Sequence, residues 1–500
     1  SQLSAAELDA RDVLVELLCG DRVRAHEMRI AFHKRHPDSQ GHLAGRDERL
    51  GDILQDVWTS ESHCPPCRGG LFSAERADDV DCTITIGGPL WRLPLTCHRS
   101  AERVTNRPML SGVEPPEVLP SISEGRVFWA TETAVQAVRM DGQPVWPVGP
   151  ESRDHRLYSF TMGAGRKLDF PRVGQACHRI ALDAGRLFAQ LGDPVAVAAE
   201  RESRQMESQL VCLDVQSGQG KLLWTRFPED LFTDRDWRLS GGMLATNGQL
   251  LITARRSQPS QGVAVACLSA ATGEQLWFKL IAGILAEAPA TWHLSASDTL
   301  MADEDQVYLV SGAGVTAALD RRSGQLQWVL QDDPQPWRIP PLTPVGEQSR
   351  QAAVLSRGLL YTIQQDGRTV QCLETATGAA RWQQRLPVRV QHLLGVRCGV
   401  LAAVGQQSWG LNQDTGEIRW RAGYDDVAGE FVGRGLLVGQ TLLACNHEEL
   451  WEVDLPTGTI QRRHPLWEAF GVRGGHLLLG PGGLVIASER EFVTLRVTEP

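Results

Sequence analysis

The chain has 500 residues, 42% of them hydrophobic and 22% charged, a balance that indicates a large folded protein and not a disordered one. The net charge of −10 and the lack of a basic stripe argue against a nucleic-acid partner, and no apolar run is long enough for a transmembrane helix. The eleven cysteines are an odd number, so at least one thiol has no partner within the chain.

The first sixty residues predict helices. Ala5–Leu18 has apolar residues at helical spacing, residues 22–36 form a second helical stretch before Pro37, and a third candidate lies at 47–57. The first two resemble one helix–turn–helix repeat, and one such unit cannot bury its own apolar face. We therefore expect residues 1–60 to be a helical extension that packs on the propeller predicted below, on a partner or on a lost upstream portion.

A cysteine-bearing linker is predicted at residues 61–87. The motif His63-Cys64-Pro65-Pro66-Cys67 has the Cys-x-x-Cys spacing that can chelate zinc, form a disulfide or remain as free thiols. A four-cysteine zinc site is chemically feasible, although its second half lacks a Cys-x-x-Cys knuckle, and no thioredoxin-like pattern favours redox catalysis. The ligands of such a structural zinc would be Cys64, Cys67, Cys82 and Cys97.

From about residue 88 onward the chain repeats one phrase with variations. A short strand ends near a small residue, a Ser-Gly, Thr-Gly or Asp-Gly turn follows, and a second strand closes on tryptophan, which predicts a β-hairpin. An apolar run upstream of each hairpin predicts a further strand. A degenerate copy, Glu452–Arg462, keeps the turn but has no closing tryptophan. The closing tryptophans are Trp146, Trp224, Trp277, Trp328, Trp382 and Trp420.

The period of the repeat predicts the architecture. The turn glycine recurs at intervals of 38 to 55 residues, which suits four-stranded propeller blades. Eight upstream runs imply eight blades, but only seven hairpins reach a glycine turn, and residues 89–95 form an orphan tryptophan strand. We predict an all-β fold, an eight-bladed β-propeller of four-stranded antiparallel blades over residues 88–500, closed by strand 89–95 in the last blade.

The phrase resembles the repeat of pyrroloquinoline-quinone (PQQ) type propellers, whose consensus is Ala-x-Asp-x-x-Thr-Gly-x-x-x-Trp. Ala318–Trp328 is almost a consensus copy. The resemblance implies that the tryptophan of one blade docks on the small residue and glycine of a neighbouring blade, and that the protein lies outside the cytoplasm, in the periplasm or at the envelope. Cysteine replaces the small alanine at Cys212, Cys267 and Cys372, where we expect a packing role.

Two kinds of protein share this repeat: quinoprotein dehydrogenases, and non-catalytic propellers such as the outer-membrane lipoprotein of the β-barrel assembly machinery. The dehydrogenases hold their quinone between a tryptophan and a disulfide of adjacent cysteines, with a calcium ion and an aspartate base. This chain has no adjacent cysteine pair, and its carboxylates are scattered singly. The sequence therefore favours a non-catalytic scaffold without catalytic or cofactor-binding residues, and a PQQ- and calcium-dependent oxidoreductase is the alternative.

Interruptions of the repeat mark a candidate binding face. Long segments at 149–183, 195–209 and 331–350 are expected at one end of the ring, where a protein or peptide partner would bind. Alternatively, the tryptophans there fill the channel mouth and pack on one another, or bind a sugar or polymer. The predicted contact residues, each a tryptophan followed by a basic or imidazole side chain, are Trp237-Arg238, Trp292-His293 and Trp337-Arg338.

Overall fold

The chain divides into two compact units, Ser1–Pro66 and Cys67–Pro500. The first contains helices and one hairpin, and the second contains eight antiparallel sheets. The computed structural model describes residues 4–19, 22–43, 46–55, 85–95, 119–131, 134–145, 156–159, 179–192, 208–216, 220–234, 237–256, 261–284, 298–312, 314–332, 353–423, 430–488 and 491–498.

The N-terminal unit contains three helical segments and a hairpin. Helix α1 spans Ala5–Cys19 and α2 spans Arg22–Arg35, close to the two predicted helices. Strands β1 (Gln40–Leu43) and β2 (Arg46–Arg49) form an antiparallel hairpin, and a helical segment, α3, follows at 50–55. The third predicted helix thus begins later than expected, because its first residues pair with β1.

Part of the apolar surface of this unit is buried in a small core. Helix α1 begins with a reciprocal cap, in which the Ser4 hydroxyl accepts from the Glu7 N–H at 3.2 Å and the Glu7 carboxylate accepts from the Ser4 N–H at 2.8 Å. Helix α3 supplies three of the core residues, while Leu8 and Ile30 are exposed, so packing of this unit on a further surface stays a prediction. The core consists of Ala6, Ala10, Val13, Phe32, Leu50, Ile53 and Leu54.

Eight four-stranded antiparallel sheets form the blades of the second unit, and the strands of each blade are named from the inner to the outer one. Blade 1 is β4 (Ser121–Ser123), β5 (Arg126–Ala130), β6 (Ala134–Arg139) and β7 (Arg156–Ser159); blade 2 is β8 (Ile180–Asp183), β9 (Arg186–Leu191), β10 (Gln209–Asp214) and β11 (Lys221–Arg226). Blade 3 is β12 (Trp237–Thr246), β13 (Gln249–Arg256), β14 (Gln261–Ser269) and β15 (Gln275–Ile284); blade 4 is β16 (Thr299–Ala302), β17 (Gln306–Ser311), β18 (Val315–Asp320) and β19 (Leu326–Gln331). Blade 5 is β20 (Ala353–Ser356), β21 (Leu359–Ile363), β22 (Thr369–Glu374) and β23 (Ala380–Arg385); blade 6 is β24 (Val390–Arg397), β25 (Val400–Gly405), β26 (Ser408–Asn412) and β27 (Ile418–Ala422). Blade 7 is β28 (Leu436–Val438), β29 (Thr441–Cys445), β30 (Glu449–Asp454) and β31 (Ile460–Pro465); blade 8 is β32 (His476–Gly480), β33 (Gly483–Ala487), β34 (Glu491–Thr498) and β3 (Thr85–Pro94).

Two short helices lie in the connections between blades. Helix α4 (Pro228–Leu231) precedes blade 3, and α5 (Leu466–Phe470) precedes blade 8. Within the described ranges, no helix combines the length and apolar character needed to cross a bilayer.

The ring closes through a strand from early in the chain. The inner strands of consecutive blades contact one another all the way round, including β32 of blade 8 with β4 of blade 1. The outer position of blade 8 is filled by β3, which pairs antiparallel with β34 and places Trp91 opposite Thr494. The eight-bladed propeller predicted from the repeat is confirmed.

Docked tryptophans join neighbouring blades near their outer edge. In six joints among the described residues, the indole of one blade lies on the turn glycine of the next. Each indole N–H also donates to a backbone carbonyl beside that turn, with Nε1–oxygen distances of 2.7 to 3.1 Å. The pairs are Trp91–Gly142, Trp224–Gly273, Trp277–Gly324, Trp328–Gly378, Trp382–Gly416 and Trp420–Gly458.

Gly378 shows why this turn position excludes a side chain. Its φ of +73° lies in the left-handed region that residues with a Cβ rarely adopt. A Cβ added there would lie 2.8 Å from Cδ2 of Trp328, closer than van der Waals contact allows. Both the backbone conformation and the docked indole therefore require glycine.

Cysteine occupies the small-residue position opposite the docking tryptophan in blades 2, 3 and 5. Burial raises the pKa of Cys212 and Cys267 to about 12 and the pKa of Cys372 to about 11. These thiols are therefore protonated at neutral pH and act as small packing residues. The register pairs are Cys212–Trp224, Cys267–Trp277 and Cys372–Trp382.

Blade 1 departs from the predicted pattern in its outer strand. The repeat predicts a fourth strand up to Trp146 and an insertion from residue 149 to the start of blade 2. Instead, β7 from within that insertion is the outer strand, and the residues just after the turn make a single bridge, at Pro144. Pro144 and Pro147 are three positions apart, so in a continuous strand one of them would face the ladder without an N–H. Trp146 lies outside the described residues.

Candidate functional site

One end of the ring carries two of the three predicted segments that interrupt the repeat. The third, 149–183, does not lie wholly at that end as expected, because β7 divides it and its first residues join β6 to β7 at the opposite end. Because the strands of a blade are antiparallel, the connections that enter the first strand and those that join the second to the third lie at one end, which we call the loop face. The predicted segment 195–209 joins β9 to β10, and the segment 331–350 leads toward β20. Both therefore belong to the loop face, although most of their residues lie outside the described part of the chain.

Trp237 begins β12, but it is buried, with 4% of its surface exposed. Its indole points toward the outer strand of its own blade and meets Phe278 edge-on, with ring centroids 5.2 Å apart. Phe232 packs on Phe278 at 5.4 Å, and the Arg256 guanidinium lies 5.1 Å from the Trp237 ring. Trp237 is therefore part of the core between blades 2 and 3 and does not line the channel mouth.

Only the first of the three predicted tryptophan–basic pairs has a described position. Arg238 is partly exposed on β12, and its Nη1 donates to the Trp237 carbonyl at 2.9 Å. The other predicted contact residues lie outside the described ranges, namely Trp292, His293, Trp337 and Arg338. The same holds for the four candidate zinc ligands, Cys64, Cys67, Cys82 and Cys97.

An aromatic–basic pair that the sequence pattern does not reveal lies on the loop face beside blade 7. Trp467 in α5 exposes 51% of its surface, and the Arg473 guanidinium lies over its ring, 5.1 Å from the centroid. The backbone N–H of Trp467 donates to the Glu448 carbonyl at 3.0 Å. This hydrogen bond connects α5 to the segment between β29 and β30. The pair escapes prediction because Arg473 stands six residues after the tryptophan and not next to it.

A buried ion pair lies between the inner strands of blades 3 and 4, at the loop-face end. Arg255 binds the carboxylate of Asp298 twice, through Nη2 at 2.5 Å and Nε at 3.2 Å. The hydroxyls of Ser240 and Ser311 donate to the same carboxylate at 2.7 and 2.8 Å. Arg179, which precedes β8, donates to the Asp298 carbonyl at 2.6 Å, so the cluster connects blades 2, 3 and 4.

These donors set the charge of Asp298. Burial alone would raise its pKa, but the Arg255 charge and the hydrogen bonds from Arg255, Ser240 and Ser311 outweigh burial and hold the pKa below its usual value. The carboxylate is therefore ionised at neutral pH and already surrounded by donors.

A second contact between non-adjacent blades lies on the other side of the channel. His392 on β24 and His476 on β32 meet edge-on with ring centroids 5.9 Å apart, although blade 7 separates them. His476 is buried, and its Nδ1 accepts from the Arg434 N–H at 2.8 Å. Burial, with the Arg434 charge as a second cause, lowers the pKa of His476 to about 3, so the ring is neutral at physiological pH.

Each of these two contacts joins blades that are two apart in the ring, since Arg179 precedes blade 2 and meets Asp298 before blade 4, and His392 of blade 6 meets His476 of blade 8. In the part of the chain that the structure describes, no three His, Cys, Asp or Glu side chains lie together as metal ligands. The two contacts therefore hold non-adjacent blades together at the loop-face end.

Comparison with known families decides the relationship of this chain. The family model described as "Outer membrane protein assembly factor BamB" matches residues 206–353 and 335–479, which together span more than half of the sequence. The chain belongs to this family. The matched region runs from blade 2 into the first strand of blade 8.

Solved structures that share the BamB-family fold include both kinds of propeller. BamB from Moraxella catarrhalis is 13% identical, with a TM-score of 0.52 over 83% of this chain and 100% of that chain. Quinohemoprotein alcohol dehydrogenase from Comamonas testosteroni is 11% identical, with a TM-score of 0.50 over 83% of this chain and 76% of that chain. Quinohemoprotein alcohol dehydrogenase ADHIIG from Pseudomonas putida HK5 is 11% identical, with a TM-score of 0.53 over 87% and 81%. At these identities the likeness shows the fold alone, and no curated protein matches the sequence.

The described residues at the channel end do not fit the calcium and quinone of the dehydrogenases. Both carboxylate oxygens of Asp298 already accept from Arg255 and from serine hydroxyls. A calcium ion at this carboxylate would lie beside the guanidinium of Arg255, and like charges in a buried site repel strongly. The sequence also has no adjacent pair of cysteines to hold a quinone.

Proposed function

We propose that this BamB-family chain is a non-catalytic scaffold that recognises a protein or peptide partner on its loop face, within a larger assembly outside the cytoplasm. One observation carries the proposal: Trp467 exposes half of its surface beneath Arg473, on the loop face. The family name, an outer-membrane protein assembly factor, agrees with such a role.

The chemistry of Trp467 and Arg473 suits a protein surface. An indole offers a large rigid apolar area, a guanidinium offers five donors, and both side chains are enriched in interface hot spots. The Trp467 ring already orients Arg473, so the arginine side chain should lose little conformational entropy when a partner binds. Helix α5 ends at Gly471, whose φ of +61° terminates the helix, and its backbone is tied to Glu448.

The closed ring supports recognition by loops, because its docked joints hold the blades from which the connections begin and end. Among the predicted contact residues, buried Trp237 would act through packing. The others remain proposed contacts on the same face: Arg238, Trp292, His293, Trp337 and Arg338.

Replacing Trp467 and Arg473 by alanine tests the proposal. Both side chains are exposed, so the fold should persist. We expect the double variant to recover at least about tenfold less of the partners that wild type captures from the native source after cross-linking, quantified by mass spectrometry. Arg322→Ala is the matched control, since Arg322 is exposed beside the glycine turn of blade 4, at the opposite end. Equal recovery by wild type and the double variant would overturn the proposal.

The competing function is a PQQ- and calcium-dependent oxidoreductase, whose fold the chain shares. The purified protein, incubated with PQQ and calcium, should not reduce an artificial electron acceptor faster than the same mixture without protein. Turnover in this assay would replace the scaffold proposal by an enzymatic one.

A further inference from the structure

The outer strands differ between two sides of the ring. Those of blades 5 to 7 expose two arginines each, which discourages a sheet edge from pairing with another strand. Those of blades 2 to 4 expose apolar side chains. The arginines are Arg381, Arg385, Arg419, Arg421, Arg462 and Arg463. The apolar residues are Leu222, Leu223, Leu276, Leu280 and Val329.

Among the described outer strands, β15 is the longest without proline or arginine, although its pairing with β14 has two register shifts. It spans ten residues, Gln275–Ile284, without proline or arginine, and Lys279 is its one charged side chain. Strand β3 is as long, but it contains Pro89, Arg92 and Pro94, and the other described outer strands have six residues or fewer. No described strand lies on the outer side of β15. Its outward N–H and C=O groups therefore face away from its sheet, available to a further strand.

The exposed leucines of β15 stand symmetrically in sequence about Phe278, and Leu276 is the extra residue at one of the two register shifts against β14. Leu276 exposes 54% and Leu280 exposes 45% of its surface, and each stands two residues from Phe278. When two copies of β15 run antiparallel about a two-fold axis at Phe278, Leu276 of each copy faces Leu280 of the other. Lys279 then faces Trp277 of the second copy, a cation beside an indole, and no like charges meet.

We propose that β15 is a self-association edge that pairs with β15 of a second copy of this chain and joins two blade-3 sheets into one. A second copy is the occupant because β15 matches itself in length, in apolar spacing and in charge. The stretch Trp277–Leu280 forms the centre of the pairing, since it is regular against β14 and the two register shifts fall on either side of it. Ten residues span about 34 Å, and an interface of one strand pair gives a weak, reversible dimer. This pairing uses the rim of the ring and does not depend on the loop face.

Sedimentation of the purified full chain over a concentration series tests the proposal. The mean mass should rise from the 55.0 kDa of one chain toward twice that value as the concentration reaches hundreds of micromolar. Leu280→Lys should hold the mass at one chain over the whole series, because it places a charged side chain opposite Leu276 of the second copy.

Ile418→Lys is the matched control. Ile418 exposes 40% of its surface on the outer strand of blade 6, so the variant makes the same chemical change far from β15 and should associate as wild type does. Circular dichroism establishes that each variant is folded. A wild-type mass of one chain at every concentration overturns the proposal and leaves a strand of another protein as the occupant. Equal loss of association in both variants also overturns it.

Disulfide trapping tests the register. A mixture of the Leu276→Cys and Leu280→Cys variants should form a linked dimer under mild oxidation, because the two positions face each other. Leu280→Cys alone should not link, since its two copies lie four residues apart along the pairing, about 14 Å, beyond the roughly 7 Å between Cα atoms that a disulfide tolerates. Peptide mapping separates this link from bridges of native cysteines. Linking of Leu280→Cys alone at the rate of the mixture would overturn the two-fold axis at Phe278.

Discussion

Six joints in the described part of the ring hold neighbouring blades with a docked indole, whereas the corresponding position of blade 7, which precedes blade 8, has polar side chains. In blade 7 the register pair that elsewhere holds a small residue and a tryptophan is Glu452 and Arg462. Glu452 is buried, and its Oε1 lies 2.5 Å from His464 Nε2 and 3.9 Å from Arg462 Nη1. Glu452, His464 and half-exposed Arg462 thus form a polar cluster at the position where the other joints have a docked indole.

The difference follows from how blade 8 is assembled. Its third and fourth strands, β34 and β3, are not consecutive in sequence, so no glycine turn joins them to receive an indole. Helix α5 takes over the outer contact: Leu466 is buried in the core between blades 7 and 8, and Arg92 of β3 donates to the Phe470 carbonyl. The copy of the repeat that lacks tryptophan therefore marks where the ring closes.

The largest expected effect is the loss of a docked indole. Trp420→Ala removes the ring that lies on Gly458 and its hydrogen bond to the Leu455 carbonyl at 2.7 Å. The free energy of unfolding, measured by urea denaturation, should fall by about 3–5 kcal/mol. Arg462→Ala, at the corresponding position of blade 7, should cost less than about 1 kcal/mol, because Arg462 is half exposed and lies 3.9 Å from Glu452, which keeps its contact with His464. Similar losses in the two variants would contradict the distinction between docked and closing joints.

The joint between blades 3 and 4 has a second attachment at its inner end, and breaking it should have the next largest effect. Asp298→Ala leaves Arg255 buried without its carboxylate, and we expect a loss of about 3 kcal/mol in the free energy of unfolding. Asp414→Ala, at an exposed turn position, serves as the control and should be close to wild type. If urea denaturation gave the same stability for both variants, the ion pair would not hold the joint.

The closing blade should also make the protein sensitive to acid. His476 has a pKa of about 3 when folded and about 6.5 when unfolded, so below pH 6.5 the unfolded state binds a proton that the folded state does not. Stability should therefore fall as the pH drops from 6.5 toward 3, by at most about 1.4 kcal/mol per pH unit. His476→Gln should lack this part of the slope in urea denaturation between pH 6.5 and 4. An unchanged slope would show that His476 does not titrate on unfolding.

A smaller effect should separate backbone strain from docking. Gly378→Ala forces a Cβ against Trp328 at a φ of +73° and should cost about 1–3 kcal/mol. Gly482→Ala is the matched control, since Gly482 has a φ of +70° and nothing within 4 Å of an added Cβ. The difference between their thermal unfolding midpoints measures the contact with the indole. Equal shifts would mean that the contact adds nothing to the strain.

The smallest effect should come from restoring the consensus at the closing joint. Arg462→Trp supplies an indole but no glycine turn to receive it, so the free energy of unfolding should stay within about 0.5 kcal/mol of wild type. A gain comparable to the loss in Trp420→Ala would show that blade 8 can accept an indole after all.

Much of the fold is predictable from the sequence because its joints repeat at a fixed register. Glycine at the turn and tryptophan at the end of the following strand identify each hairpin, and the orphan strand with Trp91 identifies the closure. The β1–β2 hairpin is not predictable in this way, since its strands are four residues long and mostly polar. The outer strand of blade 1 is not predictable either. It begins at Arg156, farther from the glycine turn than the repeat's spacing between turn and closing tryptophan allows.

The candidate site is less predictable because its contacts join distant positions. Arg255 and Asp298 are 43 residues apart and meet only once two blades pack together. Trp237 lies at the start of an inner strand, and the sequence does not show that its ring turns toward Phe278 and away from the channel mouth. Trp467 and Arg473 come together because α5 bends the chain between them.

The pairing of β3 with β34 has a consequence for synthesis on the ribosome. About 400 residues separate the two strands, so at roughly 5–20 residues per second β3 waits about 20–80 s for its partner. During that time it is a nascent strand with both edges open. Strand β3 is a poor partner for strands of other proteins because it contains Pro89, Arg92 and Pro94. Strand β15 has neither proline nor arginine. The prolines and arginine of β3 thus disfavour its pairing with other strands until β34 has been synthesised.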